Sequence, residues 1–211
     1  MNSFISQFIY DIKNADAIEI IAVFFGIISV WFSKKENILV FPTGIINTFL
    51  FSYLYIIKTG LYADGLVNIY YTIMSIIGWH MWQNSNKNYG LKISTNSKAD
   101  WLKTISLGLF WFLTLYSCLV YILPIYFSKY LTPSTVPFLD SLNAALAFTA
   151  MWLMNKKKIE HWLFWTVVNI ISIPLNAYKN LAFTSVQYVV FLILGIAGFI
   201  AWHKKYKYEK N

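Results

Sequence analysis

Seven apolar segments alternate with polar, lysine-containing segments along this chain of 211 residues. The apolar segments cover residues 17–33, 38–57, 65–82, 104–123, 138–154, 162–178 and 183–202. A helix needs about 20 mainly apolar residues to cross the hydrocarbon core of a bilayer. The pattern therefore predicts an all-α membrane protein with seven transmembrane helices and the lipid bilayer as its surroundings.

The first 16 residues follow a different pattern. Five apolar residues share one helical face: Phe4, Ile5, Phe8, Ile9 and Ile12. A single apolar face predicts a short N-terminal helix that lies in the membrane interface. A cleavable signal peptide is not expected, because no basic stretch comes first and Asp11 interrupts the region where an apolar run would be needed.

Composition agrees with a membrane protein and argues against catalysis. Hydrophobic residues form 58% of the chain and charged residues 12%, whereas soluble domains carry about 25% charged residues. The single cysteine, Cys118, excludes an intrachain disulfide, and the three histidines lie apart without a carboxylate pair. The sequence therefore predicts no catalytic residue, no metal site and no cofactor, and we do not expect an enzyme.

The basic residues indicate the orientation in the membrane. All 17 are lysines, and 13 fall in the loops after the first, third, fifth and seventh apolar segments. The other four are Lys13, Lys58, Lys129 and Lys179. Because lysine-rich short loops remain cytoplasmic, we expect an outer N-terminus and a cytoplasmic C-terminus in a bacterial inner membrane. The same placement accounts for the net charge of +8 without a nucleic-acid partner.

The second half of the chain weakly repeats the first at an offset of 120–121 residues. The matched pairs include Trp31/Trp152, Lys35/Lys156, Lys58/Lys179, Gly78/Gly198 and Trp82/Trp202. A three-helix unit repeated directly would return inverted, so a linker helix at 104–123 is needed to make the halves parallel. We therefore predict one transporter domain over 1–211, with three-helix repeats at 17–82 and 138–202. This 3+1+3 arrangement is SWEET-like and favours alternating access.

Polar residues inside the apolar segments form stripes that predict a binding site. Those of the sixth segment lie on one helical face, and the third segment carries a second stripe. The candidate substrate-binding residues are Trp162, Trp165, Asn169, Asn176, Asn68, Asn47, Tyr71, Asn143 and Gln187. Indole rings stack on flat rings and attract cations, and amides bond hydroxyls in either direction. The stripes therefore favour a polar, planar, small-molecule ligand.

Each of these residues also has a purely structural interpretation. Asparagine and serine join transmembrane helices through hydrogen bonds. Tryptophans at segment ends commonly anchor the chain at the membrane surface, which we expect for Trp31, Trp82, Trp152 and Trp202, and which competes with ligand binding at Trp162. No carboxylate lies deep in a segment, so the sequence offers no carrier for a proton relay.

Several sequence blocks resemble the PnuC-type vitamin transporters. They are GLYAD at 60–64, NIYY at 68–71, MSIIGW at 74–79, and WLFWTVVN at 162–169 followed by Asn176. The resemblance implies facilitated diffusion of an unphosphorylated vitamin precursor, nicotinamide riboside first, with trapping by a cytoplasmic kinase. It also implies that Trp162, Trp165, Asn169 and Asn176 contact the ligand, and that the protein self-associates as a homo-oligomer.

Other functions stay open on the sequence alone. Similar transporters carry thiamine or riboflavin, and thiamine shares a cationic aromatic ring with nicotinamide riboside. A sugar facilitator with the same repeat is a second alternative, and a membrane receptor or scaffold that does not transport is a third.

Overall fold

A computed structural model describes residues 2–59, 62–85, 90–127, 134–178 and 182–210 of the chain. These residues form nine α-helices: α1 Asn2–Asn14, α2 Ala17–Lys34, α3 Val40–Tyr53, α4 Tyr62–Ser85, α5 Lys98–Ser117, α6 Leu123–Phe127, α7 Pro137–Asn155, α8 His161–Tyr178 and α9 Ala182–Lys210. Two π-helical segments extend them, Leu54–Thr59 after α3 and Cys118–Ile122 between α5 and α6. Four residues named above lie outside these ranges: Gly60, Leu61, Lys129 and Lys179. Lys87, one of the 13 lysines counted above, also lies outside them.

The all-α prediction is confirmed for the described ranges, which contain no strand and one isolated bridge between Ser94 and Lys158. Helices cover the predicted apolar segments except for residues 38 and 39, which lie in the turn before α3. Among the described residues, four stretches are long and apolar enough to cross a membrane: Ala17–Lys34, Val40–Lys58, Lys98–Tyr126 and Phe183–Lys210. The helices α4, α7 and α8 are not among these four stretches. They carry polar candidate residues, which lower their mean hydropathy.

The helices pack in two groups that meet side by side. The first group contains α2, α3 and α4, and the second contains α7, α8 and α9, with α5 packed against α7. Between the groups, α2 contacts α9 and α4 contacts α7. The candidate residues of α4 and α8 are thereby brought to the boundary of the two groups.

Two turns 121 residues apart have the same backbone conformation. Glu36, after α2, has φ 54°, and Lys157, after α7, has φ 51°. Each turn is closed by an N–H that donates to a carbonyl five residues earlier at 3.0 Å, namely Asn37 to Phe32 and Lys158 to Leu153. A left-handed residue closing a helix in this way leaves few carbonyls unbonded.

Ion pairs join these turns to the end of α9. Glu36 Oε1 lies 2.7 Å from Lys157 Nζ, and Glu36 Oε2 lies 2.5 Å from Lys205 Nζ. We call this part of the molecule the basic end. The helices α2, α4, α7 and α9 end here, and lysines lie in the last turns of α2 and α9 and in the turn after α7. At the opposite end, Asp16 pairs with Lys58 and its side chain accepts the Ile18 N–H, which begins α2.

At the basic end, two tryptophans each donate a hydrogen bond from one helix group to the other. Trp82 Nε1 donates to the Asn155 carbonyl at 3.2 Å, and Trp202 Nε1 donates to the Ser33 carbonyl at 3.0 Å. Their exposed fractions are 3% and 1%. The prediction that these two tryptophans anchor the chain at the membrane surface is therefore wrong, because each indole is buried beneath the turn of the other group.

The core of the basic end is largely aromatic and sulfur-containing. Its buried members are Val40, Phe41, Met74, Trp82, Ile93, Met151, Met154, Ile159, Trp162 and Trp202. Two glycines allow the rings to approach the helices. A Cβ on Gly78 would lie 2.3 Å from the Phe41 ring, and a Cβ on Gly198 would lie 2.5 Å from the Trp162 ring.

Candidate functional site

An aromatic group lies where α4, α7 and α8 meet. The Tyr71 ring centroid is 5.8 Å from Phe148 and 6.2 Å from Trp165, and Tyr70 stacks on Phe148 at 3.8 Å. We call Tyr70, Tyr71, Phe148 and Trp165 the aromatic group. The structure thus brings together Tyr71 and Trp165, two predicted site residues from opposite halves of the chain. Phe148 was not predicted, since a phenylalanine in an apolar segment carries no signal of its own.

A polar pair joins α7 to α8 beside this group. Asn143 Nδ2 donates to Ser172 Oγ at 2.9 Å, and the Tyr188 side chain of α9 hydrogen-bonds the same serine. Asn143 Oδ1 is buried and has no hydrogen-bond partner among the described residues. Neither Ser172 nor Tyr188 was among the predicted site residues, although Ser172 flanks the stripe of the sixth segment.

The depth of these residues follows from helix geometry. With a rise of about 1.5 Å per residue, Trp165 lies about 6 Å and Ser172 about 16 Å from the start of α8 at His161. Asn143 lies about 18 Å from the end of α7 at Asn155 by the same rise. The Asn143–Ser172 pair is therefore near the middle of a hydrocarbon core of about 30 Å, with the aromatic group displaced toward the basic end.

Asn169 and Gln187 are the most buried amides of the predicted site, with exposed fractions of 3% and 8%. Asn169 faces α9, since its Nδ2 lies 3.8 Å from the position that a Cβ on Gly195 would occupy. Asn169 lies one turn beyond Trp165 on α8, and Gln187 lies on α9 next to Tyr188. Both therefore belong to the helices that carry the aromatic group and the polar pair or pack directly against them.

Three other predicted amides bond the backbone. Asn47 Nδ2 donates to the Ala22 carbonyl of α2 at 2.7 Å, so this side chain joins two helices. Asn68 and Asn176 each donate to the carbonyl four residues earlier on their own helix, at 2.9 and 2.8 Å. In this structure Asn47 has the helix-joining geometry that was the alternative to ligand binding.

Trp162 is a core residue in this structure. Its exposed fraction is 2%, and its ring lies 4.4 Å from the His161 ring and 5.9 Å from the Trp202 ring. Trp162 Nε1 is buried and has no hydrogen-bond partner within the described ranges. Trp165, three residues further along α8, packs against the same core, and Trp165 thus connects the basic end to the aromatic group.

A cavity of about 300 Å³ opens at the basic end. It is lined by Glu36, Asn37, Ile38, Trp82 and Lys157. The Lys157 ammonium lies 4.6 Å above the Trp82 ring and is paired with Glu36. None of the predicted site residues lines this cavity, which is separated from the aromatic group by the buried core of the basic end.

The chain is similar to known proteins over nearly its whole length. Residues 16–204 match the family described as nicotinamide mononucleotide transporter. The chain is 28% identical to the nicotinamide riboside transporters PnuC of Escherichia coli K12 and Shigella flexneri, over 92% of this chain and 86% of each relative. It is 27% identical to the Neisseria mucosa protein of that name, over 89% of this chain and 72% of the relative.

A solved structure shares the fold. The crystal structure of the vitamin B3 transporter PnuC superposes with a TM-score of 0.67 at 24% sequence identity. The superposition covers 95% of this chain and 87% of that one.

Proposed function

The chain belongs to the nicotinamide mononucleotide transporter family, and from this premise we propose that it carries nicotinamide riboside across the inner membrane by facilitated diffusion. The family consists of transporters and not of enzymes. The observation that carries the proposal is the aromatic group, in which Tyr71 and Trp165 from opposite halves of the chain lie 6.2 Å apart. Relatives that match most of this chain are named as nicotinamide riboside transporters.

The chemistry of the aromatic group suits this substrate. Nicotinamide riboside joins a flat, positively charged ring to a sugar with several hydroxyls. Electron-rich indole and phenol faces attract a cationic ring, by about 2 kcal/mol or more where water is excluded. We propose that Tyr71 and Trp165 hold the ring, and that Asn169, Asn143 and Gln187 bond the polar groups.

The remaining predicted contacts stay part of the proposal with a different role. In the present conformation Trp162 packs in the core and Asn47 bonds the neighbouring helix α2. Asn68 and Asn176 each bond a carbonyl of their own helix. In our proposal these side chains shape the walls of the site or meet the substrate in another conformation of the transport cycle.

We propose that transport uses a parallel 3+1+3 repeat, with α5 as the linker helix. The two turns with matching left-handed residues 121 positions apart support this arrangement. So do the crossed tryptophan hydrogen bonds, which join each group to the turn of the other. A repeat of this kind permits alternating access, in which the two groups rock around a central site.

Uptake needs no coupled ion in this proposal, because the apolar segments carry no deeply placed carboxylate for a proton relay. The lysine distribution supports a cytoplasmic basic end. A cytoplasmic kinase that phosphorylates the substrate would keep it inside, since a phosphate group would add negative charge and prevent return. The homo-oligomer implied by the family resemblance remains part of the proposal.

The test measures binding and transport separately. Calorimetry on purified protein should show binding of nicotinamide riboside, with thiamine, riboflavin and a monosaccharide measured in parallel. Proteoliposomes loaded with the bound compound should then exchange it by counterflow. Binding of thiamine or riboflavin alone would contradict the proposed substrate, and binding of the sugar alone would indicate a sugar facilitator. Binding without counterflow would indicate a receptor and contradict transport.

A further inference from the structure

We propose that Asn143 Oδ1 is the acceptor for one hydroxyl of the substrate's sugar, and that Ser172 and Tyr188 are positioning residues that orient it. This inference rests on the proposed function, since it assigns one part of the nicotinamide riboside molecule to one side-chain atom.

The first observation is an unpartnered acceptor at membrane depth. Asn143 Oδ1 is buried without a hydrogen-bond partner among the described residues, near the middle of α7. A buried polar atom left without a partner costs about 1–3 kcal/mol, and hydrocarbon offers no water to supply one. A substrate hydroxyl at this position would remove that penalty, and the penalty would return when the substrate leaves.

The second observation fixes which kind of group this atom can bind. Asn143 Nδ2 is already occupied, since it donates to Ser172 Oγ at 2.9 Å, and the Tyr188 side chain bonds the same serine. With its N–H group held by Ser172, the amide presents an oxygen, which accepts and does not donate. The partner must therefore be a donor, and a sugar hydroxyl meets this requirement.

The third observation is the spacing from the aromatic group. Ser172 lies seven residues beyond Trp165 on the same face of α8, which corresponds to about 10 Å along the helix. On α7, Asn143 lies five residues from Phe148, or about 7 Å. Both helices thus separate the aromatic group from the polar pair by a length comparable to that of an aromatic ring joined to a pentose.

Another unpartnered amide oxygen lacks this geometry. Asn155 Oδ1 is also buried without a partner in the part of the chain that is described. It lies only 2.2 Å from the position that a Cβ on Gly78 would occupy. Asn155 Oδ1 is therefore pressed against the α4 backbone, and it lies at the basic end, away from the aromatic group.

The experiment combines one substitution with three substrate analogues. Calorimetry would compare nicotinamide riboside with its 2′-deoxy, 3′-deoxy and 5′-deoxy analogues on wild-type protein and on Asn143→Leu. One analogue should bind the wild type about 10- to 100-fold more weakly than the parent compound. Asn143→Leu should bind the parent compound as weakly as that analogue, and loss of the same hydroxyl should cause no further decrease.

Controls separate binding from folding. Ser185→Ala removes a buried serine hydroxyl that bonds the Ile173 carbonyl between α9 and α8, and it should keep the wild-type response to every analogue. Ser172→Ala should reduce the discrimination between the parent compound and the selected analogue, because the amide is no longer oriented. If Asn143→Leu does not give folded protein, the test compares Ser172→Ala with Ser185→Ala. A loss of discrimination between the analogues in Ser172→Ala but not in Ser185→Ala would support the role of Asn143, and equal responses of the two variants would refute it.

Two results would overturn the inference, and only one of them also overturns the proposed function. If the wild type does not bind nicotinamide riboside, the proposed function fails and this inference fails with it. If the wild type binds but every deoxy analogue loses the same factor in the wild type and in the variant, the proposed function stands and the role of Asn143 is refuted.

Discussion

Trp165 is the residue at which the aromatic group and the basic-end core meet. Its ring lies 6.2 Å from Tyr71 and packs against the core that contains Trp162. Replacing Trp165 by alanine removes the largest ring face available to a cationic substrate. We expect Trp165→Ala to weaken nicotinamide riboside binding about 30-fold or more, from a loss of about 2 kcal/mol, as measured by calorimetry.

A matched tryptophan provides the control for that substitution. Trp152 is 36% exposed, at the basic end, with Lys156 Nζ 4.0 Å above its ring. Trp152→Ala should therefore leave the affinity within about twofold of the wild type, because an exposed surface contact contributes little to a buried site. Equal losses for the two variants would show that Trp165 acts through general stability and not through the ligand.

The sequence patterns identified which side chains could donate hydrogen bonds better than they identified where those side chains lie in the fold. Trp82 and Trp202 lie beside lysines at segment ends, as surface anchors do, yet both are buried and donate to carbonyls of the opposite group. Those acceptors lie 73 and 169 residues away in the sequence. Helical periodicity relates only residues that are within a few turns of each other in the sequence. It could therefore identify the indole N–H groups as donors but not their acceptors, which are distant in the sequence.

The same limit applies to the amides. Asn47 and Asn143 look equivalent in sequence, as lone amides in apolar segments. In the structure both amides donate across a helix contact, Asn47 to Ala22 and Asn143 to Ser172. The Asn143 oxygen is in addition buried with no hydrogen-bond partner among the described residues. The difference depends on which helix lies opposite, and helix adjacency is a property of the fold and not of the segment.

Close helix approach at two glycines is an element-scale feature that mutation can test. A Cβ on Gly198 would lie 2.5 Å from the Trp162 ring. Filling a packed contact of this kind typically costs about 1–3 kcal/mol. We therefore expect Gly198→Ala to lower the thermal midpoint of the purified protein, measured by scanning fluorimetry.

Gly108 of α5 serves as the matched control, because the nearest atom to an added Cβ there is Thr149 Oγ1 at 3.5 Å. Gly108→Ala should be neutral or stabilising by about 0.5–1 kcal/mol, since alanine favours helix. A fall in the midpoint for Gly108→Ala equal to that for Gly198→Ala would contradict the packing argument.

The start of α2 depends on a partly exposed carboxylate, that of Asp16. The Lys58 side chain, followed by the Ile18 N–H, holds the pKa of Asp16 below its ordinary value. A lowered pKa means that the stabilisation is present above the ordinary carboxyl pKa of about 4 and is lost as the pH falls through the lowered folded-state value. We expect Asp16→Asn to have a lower thermal midpoint than the wild type at pH 7.

The pH series provides the control for Asp16. As the pH falls through the lowered pKa of Asp16, the wild-type carboxylate becomes protonated, so the two midpoints should converge. A difference that stays constant over the whole acid titration, down to the pH at which the wild-type midpoint stops changing, would show that the substitution acts through packing and not through charge.

At the scale of helices, the hydrophobic pattern located every segment and missed their irregular ends. All seven predicted apolar segments are helical, with bounds within a few residues of the predicted ones except where α5 and α9 extend further. The π-helical segments at 54–59 and 118–122 were not predicted. A π-helix changes the hydrogen-bond register without changing the hydrophobic composition, so it leaves no signal in a hydropathy profile.

The segment 90–97, which comes before α5, was likewise not predicted to have fixed structure. Ser94 exchanges backbone hydrogen bonds with the turn after α7, and Asn96 N–H donates to the buried Glu160 carboxylate at 2.7 Å. From sequence alone, a short polar loop is expected to lie on the surface in contact with solvent. Its docking depends on carbonyls and a carboxylate that only the α7–α8 turn provides.

Across the whole molecule, equivalent positions of the two halves meet at the basic end. Glu36 and Lys157 occupy the same place in their respective turns and pair directly at 2.7 Å, with side chains only 12% and 13% exposed. Lys205 of α9 shares the same carboxylate. The contact is formed by the two groups that must separate if the basic end opens during transport, so it should favour the closed state of that end.

Removing the carboxylate should therefore open the basic end more often. Glu36→Gln leaves Lys157 and Lys205 close together without a counter-charge, and breaking a mostly buried pair typically costs several kcal/mol. A shift of about 1.4 kcal/mol already changes the open population tenfold.

Because Cys118 is the sole cysteine, a Cys118→Ser background with Asn37→Cys places one thiol in the cavity lined by Glu36 and Lys157. Maleimide labelling of that thiol should be at least about tenfold faster with Glu36→Gln.

A charge exchange distinguishes the ion pair from a general loss of structure. Glu36→Lys alone should accelerate labelling further, while Glu36→Lys combined with Lys157→Glu should return the rate toward that of the parent background, since the pair is restored with its sign reversed. Lys156→Gln is the matched control, because Lys156 lies beside Lys157 but stacks on Trp152 rather than pairing with Glu36. An unchanged labelling rate with Glu36→Gln would mean that the crossed tryptophan hydrogen bonds alone keep the basic end closed.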